Sequence, residues 1–537
     1  MLEEHIKYCG EFEACKITLP SKENDILKFT EHTKHLKLLY VIYADFETIL
    51  RPCAATEKIN AIQEHDAFSV GLYIKCSFDD KQSEYRSYRQ KNEKEIRPAT
   101  WFIQQLLKIA KDLESRYDNP KPMTPLTIDQ ELEFRAAEKC HICNGEFSKR
   151  KNLRCVRDHC HFSGEYRGPA HNECNLEYQD SRQIPIFFHN LSNYDAHIFI
   201  KELSSGIMPG DINVLALSKE KYISFVKKIQ ECTISFRFLD SYCFLTASLD
   251  TSASTLTTKP ILESFFNENG YNADQRRLAS KKGVFPYEYI TNFNKLEATE
   301  LPPIEEFYSS LTDSTVSEKD YKHAVDVWEH FNTTNIGEYS DLYLKIDVLL
   351  LADVFETFRH NCLKYYKLDS AHYCTLPSFT WSAMLKETEV ELELLTDMDM
   401  MLFIERGIRG GLTQVSNRYA ASNNKYMSEG YNPDETDKYL MYFDVKNLYG
   451  YAMSQPLPCN GFKWVEKEEI SLENCLNPSS EDVGYILEVD LEYPQEYHDE
   501  HSDLPFCPEH RIPPDAKTKK LMTTLLKKKN TLFITKR

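Results

Sequence analysis

Acidic residues at four separate places in the chain have the types and spacing that phosphodiester chemistry needs. They are Asp45 and Glu47 in YADFET, Asp195 in HNLSNYD, Asp347 in YLKID and Asp444 in YFDVKNLYG. An isolated D-x-E triplet means little in a chain with 83 Asp plus Glu residues. Carboxylate oxygens are the ligands that Mg²⁺ prefers, and a pair of such ions activates water and stabilises a leaving oxygen. The first three motifs together therefore predict a two-metal nuclease site for Mg²⁺ or Mn²⁺. The fourth motif indicates the start of a second metal site.

The elements around these motifs are predicted to bring the acidic residues together. The segment LLYVIYADF is typical of a buried strand, in which Asp45 and Glu47 point to the same face. Asp195 follows a second apolar strand, IPIFFHN. The segment DLYLKIDVLLLADVFETFRHNCLKYY predicts a long helix that places Tyr343 and Asp347, four residues apart, on one face. Asp347 is then a metal ligand, and the Tyr343 hydroxyl orients the attacking water.

Composition limits the class of protein. The chain has 537 residues, of which 42% are hydrophobic and 27% are charged, as in a globular protein of about three or four domains. It has no basic-then-apolar leader and no apolar run near the ~20 residues of a membrane span, so we expect an intracellular protein without a membrane partner. The nucleus is favoured over the cytoplasm or mitochondrion. The net charge of −19 argues against a protein that binds nucleic acid by covering phosphates with Lys and Arg. The basic stretch KTKKLMTTLLKKK (517–529) fits either DNA contact or the solvated face of a terminal helix.

A compact Cys/His cluster lies between residues 138 and 178, after the Pro-rich segment NPKPMTP (119–125). It consists of Cys140-x2-Cys143 and His171-x2-Cys174, which have the paired spacing of a tetrahedral structural Zn²⁺ site. The other cysteines are mostly scattered, which favours metal binding over a disulfide framework. In the N-terminal segment 1–37, the pair His5-x3-Cys9 fits a zinc-finger remnant or a chance pair.

In this order, the acidic motifs resemble the 3′–5′ exonuclease domain of family B DNA polymerases. ADFET stands in the place of D-x-E, Asn190-LSNY-Asp195 in the place of N-x2–3-(F/Y)-D, and Tyr343-LKI-Asp347 in the place of Y-x3-D. Wider segments such as KKGVFPYEYI and LPSFTWSAML are similar to the organellar and viral, protein-primed branch, which includes polymerases of self-replicating eukaryotic DNA transposons. The resemblance implies an α/β fold, with an RNase H-like exonuclease domain at 38–137 plus 179–395 and the small zinc insertion at 138–178.

Downstream, the resemblance implies the first part of an α+β polymerase palm at 396–537. The segment KYLMYFD is predicted to be a strand that ends at Asp444, and VKNLYG is predicted to turn into a helix. By its resemblance to polymerase motif A, Asp444 would bind the catalytic metals and Tyr449 would stack under the nucleotide sugar. Arg409, Gly410 and Gly411 stand where this branch contacts template and primer, although a plain glycine turn fits the same residues.

The palm motifs that should follow Asp444 are missing from the 93 remaining residues, which hold no D-T-D and no K-x3-N-S-x-Y-G helix. We therefore expect that this chain does not polymerise DNA alone, because of truncation, gene decay or an incomplete gene model. The full-length family implies primer-template DNA, single-stranded DNA and deoxynucleoside triphosphates as partners, with a terminal protein as a further candidate primer.

The Cys/His cluster at 138–178 contains further residues that could do chemistry. Asp158-His159-Cys160-His161 lies between the two zinc pairs, and Asn175 follows the last cysteine. This arrangement resembles the ββα-metal nucleases of the recombination endonuclease VII type, in which Asp158 and Asn175 would bind Mg²⁺ and His159 would accept the proton of water. His171 replaces the usual Cys but remains an acceptable zinc ligand. A structural zinc module that only retains the pattern is the alternative for this region.

Three hypotheses follow for the whole chain. The leading one is a DNA polymerase family B chain with 3′–5′ exonuclease motifs. The second is a zinc-dependent endonuclease VII-like nuclease on an RNase H-like scaffold. The third is a non-catalytic DNA-binding remnant of a mobile element.

Overall fold

The computed structural model describes residues 18–52, 63–218, 221–471, 473, 475 and 483–534, which fall into two compact units. The larger unit is Phe29–Glu389, and the smaller comprises the described parts of Met1–Lys28 and Val390–Arg537. His5 and Cys9 lie outside the described residues. Within the described ranges, no helix combines the length and the apolar character that crossing a membrane would require.

The chain is mixed α/β. In chain order its strands are β1 (Ile26–Leu27), β2 (Tyr40–Pro52), β3 (Gln63–Cys76), β4 (Glu84–Arg89), β5 (Cys155–His159), β6 (Tyr166–His171), β7 (Gln183–Phe188), β8 (Ile212–Ala216), β9 (Tyr222–Lys228), β10 (Ser235–Asp240), β11 (Leu392–Glu393), β12 (Ile486–Leu491), β13 (Glu509–Arg511), β14 (Lys520–Met522) and β15 (Lys528–Ile534). Its α-helices are α1 (Pro98–Asp118), α2 (Ile128–Ala136), α3 (Asn172–Glu177), α4 (Asp195–Leu203), α5 (Leu249–Ser254), α6 (Pro260–Glu268), α7 (Ala273–Ala279), α8 (Phe293–Leu296), α9 (Glu318–His330), α10 (Ile336–Tyr366), α11 (Leu376–Thr388), α12 (Met398–Gly407) and α13 (Leu448–Met453).

One seven-stranded sheet organises the larger unit, in the order β4-β3-β2-β7-β10-β9-β8. The pairs β2–β7 and β7–β10 are parallel, and the other neighbours are antiparallel. β2 lies near the middle of the sheet, as its nearly continuous apolar run requires. The predicted strands at LLYVIYADF and IPIFFHN are confirmed, and β9 and β10 form an antiparallel hairpin.

Alternate residues of β2 face two separate cores. Tyr43 belongs to the core that α10 covers, whereas Ile42 and its alternate neighbours belong to the core under α1 and α4. Since side chains alternate along a strand, Asp45 and Glu47 share the face of Tyr43. The two acidic side chains therefore point towards α10.

Helix α10 is the long helix predicted from the sequence, and two ion pairs help to hold it. Near its start, Nε of Arg89 in β4 donates to both carboxylate oxygens of Asp341 at 3.1 Å. Gly337 leaves room for this guanidinium, because a Cβ there would lie 1.8 Å from Nη1 of Arg89. Near its end, Arg359 is completely buried and pairs with Asp369 at 2.6 Å. The first pair ties α10 to β4 of the sheet, and the second ties it to the segment that follows the helix.

The inserted Cys/His segment contributes a side chain to the core of the sheet. Phe162 is buried, and its ring lies 4.5 Å from that of Tyr117, 5.7 Å from that of Phe78 and 6.5 Å from that of Tyr40. These rings belong to the layer under α1 or pack against it. The insertion is therefore docked on the sheet as well as joined to it by the chain.

The Pro-rich segment 119–125 runs along this insertion. The backbone N–H of Lys121 donates to the carbonyl of His161 at 2.6 Å, and that of Thr124 donates to the carbonyl of Gly164 at 2.8 Å. Gly164 has a φ of +79°, which suits glycine, and a Cβ there would lie 2.6 Å from the carbonyl oxygen of Pro122. The segment is therefore hydrogen-bonded along the insertion.

The smaller unit corrects two predictions from the sequence. The expected strand before Asp444 is absent: residues 439–447 form no strand, and Tyr442 is 92% exposed. A strand needs a neighbour for its backbone groups, and within the segment 438–444 only Lys438 forms a bridge, with Asn423. The basic stretch 517–529 contains β14 and the start of β15, so the terminal helix, one of the two alternatives for this stretch, is wrong.

Candidate active site and metal centre

Three acidic residues that are distant in sequence meet on the α10 side of the sheet. Asp45 and Glu47 come from β2 and Asp347 from α10, and one carboxylate oxygen of each lies within 4.8 Å of the others. Glu47 and Asp347 are buried, and Asp45 is half-buried. Asp45 and Glu47 share one face of β2 because side chains alternate along a strand. Asp347 lies on the face of α10 that packs against this side of the sheet.

The carboxylates of this cluster carry like charges, which repel one another. Burial and the neighbouring Asp347 raise the pKa of Asp45 to about 7. Burial and then Asp45 also raise the pKa of Glu47 well above its usual range. Each shift has the direction expected when carboxylates share a poorly solvated place. A cation in the cluster would favour their ionised forms.

Asp195 stands beside the cluster, at the first residue of α4. Burial, and after it the charge of Asp45, raise its pKa well above the usual range. One carboxylate oxygen each of Asp195 and Asp347 is buried and accepts no hydrogen bond from a described residue. A buried oxygen without a donor is costly, and a divalent cation satisfies such oxygens. The residues present therefore fit Mg²⁺ or Mn²⁺.

Lys282 supplies the cluster with a positive charge of its own. Its ammonium forms an ion pair with Asp347 and lies 5.3 Å from the ring centre of Tyr343. Burial works to lower the pKa of Lys282, but the charge of Asp347 outweighs it and the pKa lies above its usual value. The side chain therefore stays charged and neutralises part of the cluster.

Tyr343 lies one helical turn before Asp347 and is buried. Its hydroxyl is 2.8 Å from the hydroxyl of Tyr287. Burial raises the pKa of Tyr343 well above its usual range, so the phenol keeps its proton. It remains a hydrogen-bond donor beside the carboxylates.

The loop between β7 and α4 is held by Asp240, the last residue of β10. Its carboxylate accepts the backbone N–H of Asn190 at 2.8 Å and that of Ser192 at 3.0 Å. Asn190 adopts a φ of +75°, and its side-chain oxygen accepts a hydrogen bond from Asn193 at 2.7 Å. Asn190 thus shapes the turn that leads to Asp195.

A second hydrogen-bond chain passes beside the site. The hydroxyl of Tyr194 is 2.6 Å from that of Thr48 and 2.9 Å from Nδ1 of His65. Thr48 follows Glu47 directly and Tyr194 precedes Asp195. The hydrogen bonds therefore link the two segments that carry these acidic residues. Sequence reasoning missed His65.

Sequence patterns also gave no role to Lys282 or Tyr287. Both lie in loops or short turns after α7, where no periodic pattern marks a buried face. They fall within KKGVFPYEYI, which served only as a sign of family resemblance.

The Cys/His cluster forms a second metal-binding arrangement. Ligand atoms of Cys140, Cys143, His171 and Cys174 all lie within 4.8 Å of one another. Nδ1 of His171 is 3.3 Å from Sγ of Cys143, while Nε2 is 3.0 Å from the carbonyl oxygen of Glu146. That carbonyl can accept a hydrogen bond only from a protonated Nε2, which leaves Nδ1 free to bind metal.

The other chemistry-bearing residues of the insertion lie on β5 and α3. Asp158 is buried, with Oδ2 at 3.1 Å from Nε2 of His141 and Oδ1 at 3.9 Å from Arg167. Burial and the neighbouring His161 lower the pKa of His159, which favours the neutral, proton-accepting imidazole. Asn175 is half-buried on α3.

The polymerase-type residues of the smaller unit are exposed. Asp444 and Tyr449 lie on the surface, Tyr449 with 83% of its area accessible. Gly410 and Gly411 have no atom within 4 Å of where a Cβ would stand. Arg409 contacts the carbonyl oxygen of Leu532 at 3.5 Å. Among the described residues, no cluster of metal-binding groups includes Asp444.

Comparison with known proteins adds the family context. Residues 177–533 match the family of DNA polymerase type B, organellar and viral, and residues 114–195 match recombination endonuclease VII. A protein of Podospora anserina described as "Probable DNA polymerase" is 22% identical over 275 residues, which cover 48% of this chain and 19% of that protein. The chain thus spans about a fifth of that relative's length.

A structural comparison gives a weaker likeness. Phi29 DNA polymerase, solved with primer-template DNA and incoming nucleotide, matches with a TM-score of 0.32 and 11% identity. The match covers 71% of this chain and 41% of that one. The family match to residues 177–533 takes in most of the chain, so the chain belongs to the organellar and viral type B DNA polymerases.

Proposed function

We propose that the larger unit is a 3′–5′ exonuclease that removes nucleotides from DNA by two-metal chemistry. The observation that carries this proposal is the meeting of Asp45, Glu47 and Asp347 within 4.8 Å, with Asp195 beside them. The strand order β4-β3-β2-β7-β10, with three antiparallel strands followed by two parallel ones, supports an RNase H-like domain. Proofreading during DNA replication is the corresponding role within the family.

The side chains divide the work as follows. Asp45, Glu47, Asp195 and Asp347 would hold Mg²⁺ or Mn²⁺, which when bound activates water and stabilises a leaving oxygen. Lys282 offsets the repulsion that a phosphate would meet from this acidic site. The protonated hydroxyl of Tyr343, supported by Tyr287, donates a hydrogen bond and so orients water.

A nuclease assay on single-stranded DNA tests this function. With Mg²⁺ and a 5′-labelled strand, the chain should produce a ladder that shortens from the 3′ end one nucleotide at a time. Asp45→Ala should abolish the ladder, whereas His159→Ala should leave it unchanged. A ladder that survives Asp45→Ala would remove the proposal.

A second function is favoured by the match to recombination endonuclease VII. We propose that the insertion holds structural Zn²⁺ at Cys140, Cys143, His171 and Cys174, and that Asp158, His159 and Asn175 cut branched DNA. The lowered pKa of His159 supports its role as proton acceptor. Cleavage of a branched duplex that is lost in His159→Ala and kept in Asp45→Ala is the expected result.

Residues 396–537 carry the polymerase-type motif of the chain. We propose that Asp444 binds catalytic metal, that Tyr449 contacts the nucleotide sugar, and that Arg409-Gly410-Gly411 contacts template and primer. Family membership supports these roles, with deoxynucleoside triphosphates and a terminal protein as further partners. A primer-extension assay with this chain, which we expect to show no extension, tests whether it polymerises alone.

A further inference from the structure

A basic strip on the insertion is used by neither proposed nuclease centre. We define this basic strip as Lys149, Arg150, Lys151 and Arg154, whose side chains are all exposed. Residues 149–157 contain five cationic side chains and no acidic one. The fifth, Arg157, differs from the others because it pairs with Glu131 at 3.0 Å.

The four residues of the strip are uncompensated. None of them has an acidic partner within 4.0 Å among residues 18–52, 63–218, 221–471, 473, 475 and 483–534, whereas Arg135 and Arg157 nearby both pair with Glu131. The chain carries a net charge of −19, so its charge as a whole repels phosphate. A dense and unpaired basic strip therefore offers a polyanion a local site of attraction.

The strip leads directly into the strand that bears Asp158 and His159. β5 begins one residue after Arg154 and ends at His159. Five residues of strand span roughly 16 Å. That length corresponds to about five base pairs of duplex at roughly 3.4 Å each. A duplex lying along the strip would therefore reach His159.

The strip also has a fixed attachment. Phe162, in the turn between β5 and β6, is buried in the layer under α1. Backbone hydrogen bonds from the 119–125 segment hold the same turn. Because the insertion is docked, the strip presents its charges in one orientation on the larger unit.

We propose that the basic strip binds the phosphate backbone of DNA and holds the duplex that flanks the Asp158–His159 hairpin. The proposal rests on the proposed function only for the choice of DNA as the polyanion. Binding by the strip needs no cleavage at either centre. Arginine and lysine suit this task because they contact phosphate without reading sequence.

The test is equilibrium binding by the full chain, with Ca²⁺ in place of Mg²⁺ so that no strand is cut. Fluorescence anisotropy would follow a labelled duplex, a single DNA strand and an RNA strand of equal length between about 50 and 200 mM salt. The strip variant is K149Q/R150Q/K151Q/R154Q. The matched control is K108Q/K111Q/K319Q/K322Q, which removes the same charge from exposed positions on α1 and α9.

The strip variant should lose duplex affinity by about tenfold or more, and the slope of log affinity against log salt should shrink by roughly 3 to 4, or ~0.9 for each lost phosphate contact. The control variant should keep the wild-type duplex affinity and the wild-type salt dependence. Both variants should retain zinc. Unchanged binding by the strip variant, an equal loss in the control, or a loss confined to RNA would each overturn the proposal. An inactive exonuclease would leave these binding results untouched.

Discussion

At the scale of single residues, the carboxylates of the cluster repel one another, and either protonation or a nearby cation relieves this repulsion. Lys282 is the cation that the described chain itself supplies, by its ion pair with Asp347. Glu47, Asp45 and Asp195 all have raised pKa values. The raised pKa values show that the ionised carboxylates are unfavourable in this cluster without a further cation.

The stability of the protein should fall with rising pH when Mg²⁺ is absent. A carboxyl group whose pKa is raised from 3.8 to about 7, as for Asp45, holds more protons in the folded than in the unfolded state between these pH values. The free energy of unfolding then decreases as pH rises through that window. Urea unfolding at pH 5 and pH 8 would measure the decrease, which should be smaller in Asp45→Asn. Saturating Mg²⁺ should flatten the dependence, and an equal slope in Asp45→Asn would contradict this account.

The zinc site should tolerate one change of ligand and reject another. His171→Cys keeps a metal-binding atom, so we expect one zinc per chain both in this variant and in the wild type. His171→Ala leaves three ligands and should lower the zinc content and unfold the insertion. Zinc stoichiometry after dialysis measures both. His161→Ala is the control, because His161 is exposed and lies outside the four-ligand cluster.

At the scale of elements, sequence patterns predicted what periodicity can encode. The alternation in YADFET and the four-residue spacing of Tyr343 and Asp347 correctly placed the acidic side chains on faces that meet. The same patterns could not reveal Lys282 or His65, because a loop residue and an exposed strand residue reach the site through tertiary contacts alone. The apolar run before Asp444 was misread, since an apolar pattern specifies a strand only where a partner strand exists.

Helix α10 should respond to a single methyl group at Gly337. A Cβ there would collide with the guanidinium of Arg89, which can move only by loosening its ion pair with Asp341. We expect Gly337→Ala to lower the free energy of unfolding by about 1–3 kcal/mol and to reduce exonuclease activity by displacing Asp347. Gly206→Ala is a matched control, because no atom lies within 4 Å of its Cβ position. Equal stability of the two variants would rule out the proposed packing.

At the scale of the whole molecule, two groups of metal-binding side chains share one unit. The carboxylate cluster lies on the α10 side of the sheet, and Phe162 of the insertion packs on the side of α1. The family match extends to residue 533, so the smaller unit belongs to the polymerase family as well. Composition and charge do not predict this docking, because it rests on Phe162 in the β5–β6 turn and on backbone hydrogen bonds from residues 119–125.

Removal of the Phe162 side chain should release the insertion from the sheet without unfolding the sheet. Phe162→Ala loses an aromatic contact worth about 3 kcal/mol, so the undocked fraction should rise roughly a hundredfold. Limited proteolysis should then cut within residues 119–125 much faster, while exonuclease activity persists. Leu132→Ala is the control, because Leu132 is 61% exposed on α2. No change in the cutting rate for Phe162→Ala would show that other contacts hold the insertion.

The buried position of Phe162 also bears on how such a gene can change. A deletion that excises residues 138–178 cleanly at the DNA level would uncover Tyr117, Phe78 and Tyr40 on the host domain. Loss of the insertion would therefore favour replacement of these aromatic residues as well. The same dependence favours the retention of an insertion whose own catalytic residues have decayed.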